Sequence, residues 1–439
     1  MYAKQSQLYT IILASLLLLF GWGSTSSSLQ AQSTIPASEQ EALLELYDQC
    51  GGTGWAEGYN WRAASGPDKY AGVVIQNGHV QGIALDGVGL TGQLPKSFFT
   101  AFPELRLVGL SNNRLSGPIP EAFGEMTKLQ ALTLSSNLWT GQLPNLDKLV
   151  NLKILHLANF YNVDDKRNVI SEVTGTLPDI SKMPQLEYID ASYSNLSGQL
   201  PEQIGLCRNL QVLELSANQL TGSIPASISE CTELQIFSVQ DNKMSGEIPD
   251  LSTLVNLGTP LDLGLGVTEP GRLYLNGNQF TGSFPKSVAM LPRLQRFSCA
   301  NNKLTGALPQ DLSMMEDCEA FFADHNQFTG TLPQQLPKKL WYLDLGYNQF
   351  TGSIPATWQD ATELGKGSLR NNNLSGTVPA IYKKLANLDM IDVRNCRFSF
   401  ADFKAWGGFI KNKDCIFRFG MQQAYSEPHK ESVKSGSDV

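Results

Sequence analysis

Four histidines and seven scattered cysteines are all the soft metal-ligating chemistry in 439 residues, too little for a zinc or iron–sulfur cluster. Charge is also sparse. Charged residues make up 17% of the chain, and the formal net charge of −8 leaves no basic face for reading phosphates. No Gly-rich phosphate loop joins a strand to a helix, and G-x-S-x-G, H-E-x-x-H and the kinase signatures are missing. These gaps argue against nucleic-acid binding, metal chemistry and the common catalytic motifs. The sequence calls for no enzyme and no cofactor. At 42% hydrophobic, it is too apolar for a disordered chain and too polar for a polytopic membrane protein.

The one long apolar run lies at the start. Lys4 is the only charge in the first 32 residues, Leu8 to Trp22 is apolar apart from small residues, and a Gly/Ser/Thr stretch leads to Ala31. This order reads as a secretory signal peptide over residues 1–32 rather than an anchor, because the apolar core is short for a span and small residues follow it directly. Cys50 is the first cysteine, so no lipid-anchoring cysteine adjoins the cleavage site. The expectation is an exported protein with no membrane span after cleavage, periplasmic, cell-surface or secreted.

What the chain does have is a repeat. Gly, any residue, an apolar residue and Pro recur at Gly92, Gly117, Gly141, Gly175, Gly198, Gly222, Gly246, Gly282, Gly306, Gly330, Gly352 and Gly376. Most spacings are 22 to 25 residues; the two long ones, 34 and 36, precede Gly175 and Gly282. Before each anchor runs L-x-x-L-x-L-x-x-N-x-L-[TS]-G, seen at its fullest from Leu210 to Gly222 and from Leu340 to Gly352. The central L-x-L has period 2, which predicts a short strand with its leucines in a core. The Asn recurs at positions such as Asn113, Asn137, Asn218, Asn348 and Asn372. Its amide carries both donor and acceptor, so stacked copies can satisfy turn backbone that no ladder pairs.

This pattern resembles the leucine-rich-repeat family, in its plant-type subclass with the L-T-G-x-I-P extension. The resemblance implies an α/β leucine-rich-repeat solenoid, a right-handed horseshoe of about 13 repeats. It would have a parallel sheet on the concave face and short strands and 3₁₀ turns on the convex face.

Both ends of such an array need closing. Ser38-Glu-Gln-Glu41 reads as a capping box opening a helix through Leu43 and Tyr47, stopped by Gly51-Gly52. Trp55, Tyr59, Trp61 and Tyr70 supply aromatic area to seal the first repeat. At the far end Cys396 replaces the repeat Asn, and Phe398 to Trp406 reads as a capping helix. These caps resemble those of exported bacterial repeat proteins. The plant N-cap segment W-x-G-V-x-C is replaced here by Tyr70-Ala-Gly72-Val73-Val-Ile75. The expected organisation is a signal peptide at 1–32, an N-terminal cap at 33–79, the array at 80–400, a C-terminal cap at 401–426 and a polar tail at 427–439.

Cys207 and Cys231 fall 24 residues apart where other copies carry Met or Leu, and read as buried small hydrophobes. Cys299 and Cys318 replace core leucines. Cys396 and Cys415 are the candidate disulfide of an exported chain. None of the histidines has a partner at metal or catalytic spacing, and the sequons at Asn195 and Asn373 arise from the repeat itself.

With leucines inward, the outward strand positions form the candidate binding surface. They carry Tyr188, Asp190, Tyr193 and Glu214 in the middle turns. Later turns carry Arg272, Tyr274, Arg296, Phe322, His325, Tyr342, Asp344, Tyr347, Arg370 and Arg394. Tyr, Phe and Arg are enriched at binding hot spots. Two insertions, Phe160 to Val173 and Val255 to Gly271, break the period and add weak support for a contact region. The expected function is recognition of a macromolecular partner, a protein first. A glycan stacked on concave aromatics and inhibition of a secreted hydrolase are the alternatives.

Overall fold

The computed structural model describes residues 35–159, 172–262, 268–379, 385–399, 401–403 and 416–418. The expected signal peptide, the expected tail and Cys415 lie outside these residues, as do positions 160–171 of the first insertion. Two compact units are resolved. Unit 1 runs to Thr221 and includes Pro260–Glu269; unit 2 comprises Gly222–Thr259 and the chain from Pro270. Each is a stack of repeat turns with a parallel sheet on one side and 3₁₀ turns and short strands on the other.

Unit 1 opens with helix α1, Ala37–Gln49. The expected capping box does not form. The helix starts one residue before Ser38, Pro36 is its N-cap, and no side chain caps it. Glu39 turns instead to the first strands, accepting from Val80 N at 2.7 Å and contacting His79 Nδ1 at 2.6 Å. Gly51, at φ 77°, ends the helix. The cap aromatics then pack in sequence: Tyr47 edge to face with Trp55 at 5.1 Å, Trp55 edge to face with Trp61 at 5.1 Å, and Trp61 stacked on Tyr70 at 5.2 Å. Trp61 Nε1 donates to Ala71 O at 3.1 Å, just ahead of the antiparallel strand pair β1 (Val73–Gln76) and β2 (His79–Ala84).

From β2 the sheet of unit 1 continues in parallel through β3 (Leu107–Gly109), β4 (Ala131–Thr133), β5 (Ile154–His156), β6 (Tyr188–Asp190) and β7 (Val212–Glu214). Unit 2 stacks β8 (Ile236–Ser238), β9 (Arg272–Tyr274), β10 (Arg296–Ser298), β11 (Ala320–Phe322) and β12 (Tyr342–Asp344). It ends with β13 (Lys366–Ser368), β14 (Met390–Asp392) and an additional strand, β15 (Ile416–Arg418). The central residue of most strands is core. Leu132, Leu155 and Ile189 in unit 1 and Phe297, Phe321 and Leu343 in unit 2 are fully buried. Each such side chain contributes roughly 1.5–3 kcal/mol by leaving water. Residues on either side of it point to the open sheet face.

Asn ladders hold the turns together. Asn137 Nδ2 donates to Leu110 O at 2.9 Å and Leu134 O at 3.1 Å, while its Oδ1 accepts from Leu115 N at 3.0 Å. Asn348 repeats the arrangement in unit 2 with Ala323 O and Phe328 N, each at 3.0 Å. Where the Asn is missing, a smaller donor keeps part of the pattern. Ser194 Oγ donates to Leu157 O at 3.0 Å, and Cys396 Sγ to Leu369 O at 3.4 Å. The residue just before the ladder position takes a left-handed conformation in turn after turn, including Asn112, Tyr193, His325, Tyr347 and Asn371.

Glycine of the repeat anchor serves the opposite side. At Gly117, φ is 82° and a Cβ would come within 2.6 Å of Gln93 Nε2, so only glycine fits without displacement. Cys207, Cys231, Cys299, Cys318 and Cys396 are all buried. At the C-terminal end Ser399 N and Oγ donate to Asp402 Oδ2 at 2.7 and 2.8 Å, and positions 400 and 404–406 of the expected capping helix lie outside the described residues.

Candidate functional site

The expected surface residues divide between the units, and they differ in what they offer. In unit 1, Asp190 is 7% exposed and its strand partner His156 only 2%. Asp190 Oδ1 accepts from Ser192 N at 2.9 Å, and its Oδ2 lies 3.6 Å from His156 Nε2. Ser135 Oγ stands 3.4 Å from His156 Nδ1. A Ser–His–Asp line therefore crosses the stacked strands, although the sequence showed no carboxylate near His156. The partner is 34 residues away, one turn on, and an insertion hides the correspondence. Burial pushes His156 down to about 3, so it is a neutral, packed imidazole and a poor general base. Asp190 belongs to this packing and is not an open contact residue. Tyr188, Tyr193 and Glu214 are half-buried.

Three other acidic groups of unit 1 are equally engaged. Asp86 Oδ1 accepts from Ser111 N at 2.9 Å and Thr133 Oγ1 at 3.1 Å, and burial pushes its carboxyl up to about 6. A groove of about 510 Å³ runs beside α1, lined by Glu39, Glu45, His79 and Ser97. Its polar groups already serve one another: Glu39 holds His79 and Val80, and Ser97 Oγ donates to Glu45 Oε2 at 2.5 Å.

Unit 2 presents a different surface. Strand register aligns Arg272, Arg296, Ala320, Tyr342 and Lys366 in one row, and Tyr274, Ser298, Phe322, Asp344 and Ser368 in the next. Phe322 and Tyr342 meet edge to face at 4.9 Å. Beyond the strand ends, His325 lies stacked on Tyr347 at 4.0 Å, and the Arg370 guanidinium sits 5.0 Å from the Tyr347 ring. His325 Nδ1 contacts Asp324 Oδ2 at 2.7 Å. Asp344 Oδ1 accepts from Gly346 N at 2.9 Å; burial, then the nearby Asp324 charge, pushes Asp344 up to about 6. Tyr342 is raised as well, by burial first and then by Asp344 and Asp324.

The backbone of this cluster follows the repeat, and its side chains are what differ. His325 and Tyr347 both hold φ near 51°, a region that strains bulky side chains by roughly 1–2 kcal/mol. Other turns fill the same position with Asn301 or Asn371, which visit it readily, and also with Ser136, Tyr193, Ala217 and Asp241. Here two exposed aromatic rings occupy the position on adjacent turns and stack on one another.

The remaining expected residues are placed as follows. Arg272 lies 6.0 Å from the Tyr274 ring, and Arg296 is exposed. Arg394 is clamped on Asp392, with Nε to Oδ1 at 2.9 Å and Nη2 to Oδ2 at 2.6 Å, which ties up its donor fork. Sequence reasoning missed Trp341. It is 46% exposed, packs against Tyr342 at 6.1 Å and carries Lys366 Nζ 5.0 Å from its ring. Its place just before the outward Tyr342 was the available signal. Among the described residues no group of three or more His, Cys, Asp or Glu could hold a metal ion, and no helix is long and apolar enough to cross a membrane.

Known proteins match this architecture. The family model described as Leucine Rich Repeat matches residues 104–126, 209–231 and 339–361. Pollen receptor-like kinase 2 of Arabidopsis thaliana is 31% identical over 145 residues, which are 33% of this chain and 21% of the relative. Among solved structures, the plant peptide hormone receptor RGFR1 in complex with RGF2 is 28% identical with a TM-score of 0.62, covering 76% of this chain and 54% of that one. The ectodomain of the Arabidopsis receptor kinase HAESA, in complex with an IDA peptide hormone ligand, is 25% identical with a TM-score of 0.56, covering 82% and 65%. The chain thus spans about a fifth of the length of the receptor kinases it matches. These matches support a leucine-rich-repeat family of the plant type.

Proposed function

We propose that this leucine-rich-repeat protein is an exported, non-enzymatic recognition protein that holds a peptide or protein partner on the open sheet face of unit 2. One observation carries the reading: the strained, stacked His325–Tyr347 pair beside the Phe322–Tyr342 pair. These rings fill no core, so their placement at a conformational cost favours a role in contact. Similarity to receptor ectodomains solved with peptide hormones supports the same class of partner. Arg370 and Lys366 lie over Tyr347 and Trp341, and a ring face engaged by a cation is a poor platform for a sugar. A peptide or protein is therefore favoured over a glycan. The apolar leader at residues 1–32 supports export, and the deep burial of His156 supports a non-enzymatic role.

The test is affinity capture from secreted and surface extracts with the full chain and with a Phe322→Ala/Tyr342→Ala/Tyr347→Asn variant of matched melting temperature. A protein held by the wild type and lost by the variant supports the reading. Equal capture sinks it.

A further inference from the structure

We propose that the site seats a basic side chain of the partner, a lysine or arginine, alongside the Phe322–Tyr342 pair and against Asp344. This rests on the reading of the unit 2 sheet face as the partner surface and names the chemistry it recognises.

Register places Asp344 directly between Phe322 and Ser368, two residues after Tyr342 on the same strand. The carboxylate is therefore flanked by an edge-to-face aromatic pair at 4.9 Å. Gly346 N fixes Oδ1 at 2.9 Å, which orients the group without neutralising it. The charges around it have other engagements. Asp324 contacts His325, Arg394 is clamped on Asp392, Arg370 covers Tyr347 and Lys366 covers Trp341. Asp344 is raised by burial and by Asp324, with Arg370 only the weakest of the opposing influences, so the potential at the niche is negative. A cation entering here would gain a charge-assisted hydrogen bond and an aromatic flank, and would offset the repulsion between two carboxylates. An anion would add a third negative charge to the same spot.

A phage-displayed library of random dodecapeptides, panned at neutral pH on the full chain, provides the probe. Panning is repeated on Asp344→Asn, which keeps the acceptor for Gly346 N, and on Tyr342→Ala. The inference predicts wild-type peptides enriched in lysine or arginine, with synthetic copies bound about tenfold or more weakly by Asp344→Asn. A selected peptide whose only charge is lysine should also bind the wild type less well at about pH 5, where Asp344 is protonated, while Asp344→Asn shows a flat profile. Peptides that lack basic residues, or that bind Asp344→Asn unchanged yet are lost by Tyr342→Ala, would overturn the inference and leave the sheet-face reading intact. No selection above bare support, or equal binding by Tyr342→Ala, would overturn both.

Discussion

The imidazole of His325 lies nearly parallel to the ring of Tyr347, with centroids 4.0 Å apart and planes inclined by 19°. The two residues occupy equivalent left-handed positions of successive turns. Their stacking is worth about 0.5–1.5 kcal/mol, which is close to the strain that either backbone position imposes. Two such positions together outweigh the one stack, so the pair is kept at a net cost to folding.

Replacing Tyr347 with Asn should therefore separate stability from recognition. The change relieves strain and loses the stack, so thermal unfolding should stay within about 1 kcal/mol of the wild type. Partner binding, read by calorimetry or biolayer interferometry, should weaken about tenfold or more. A large stability loss with unchanged affinity would assign the pair to the fold.

Asn137 should behave in the opposite way. Truncation to Ala leaves Leu110 O and Leu115 N without their buried partner, at a cost of about 2–4 kcal/mol in urea unfolding. Asn137→Ser should cost less, because Ser194 fills the equivalent place in another turn and still donates to Leu157 O. Equal losses for the two variants would show that the hydroxyl does not rescue the ladder.

Asp86 gives a pH signature. Its folded carboxyl is pushed up to about 6 by burial, above the ordinary carboxylate value near 4. The stability it contributes is present below about pH 4 and is lost as pH rises through about 6. Asp86→Asn keeps the acceptor for Ser111 N and Thr133 Oγ1, so at neutral pH it should stabilise the protein by about 1–2 kcal/mol. That gain should fade on acidification toward about pH 4 in chemical denaturation series.

Trp341 can be moved without touching it. A Cβ on Gly365 would come within 2.4 Å of Trp341 Nε1, so Gly365→Ala should swing the indole away from Lys366. The expected result is a red-shifted Trp341 contribution to fluorescence, obtained by subtracting a Trp341→Phe control, with the circular dichroism spectrum unchanged. An unshifted contribution would show that the indole does not rest on Gly365.

The fold was legible because its determinants are local and repeated. The L-x-L alternation located Leu343, Phe321 and their equivalents, and the recurring Asn pointed to the ladder that Asn137 and Asn348 form. Outward positions such as Phe322, Tyr342 and Asp344 followed from the same period. What failed depended on the third dimension. The burial of Asp190 and His156 and their approach across an interrupted repeat leave no spacing in the sequence. Ser38 and Glu41 matched a capping box, but helix α1 began earlier and Glu39 found partners in β2. Trp341 escaped because strict alternation from Leu343 assigns it to the core face, whereas it stands half in solvent before the strand begins.

Site-specific photo-crosslinking tests the central claim most directly. A photoreactive amino acid is placed at position 342 on the sheet face of unit 2 or, as control, at position 314, where Met314 is 53% exposed away from the sheet strands. The full chain is then irradiated in secreted and surface extracts. The account predicts a discrete protein or peptide adduct from position 342 that position 314 does not form and that Asp344→Asn diminishes. An adduct from position 314 alone would contradict it and move the recognition surface off the sheet.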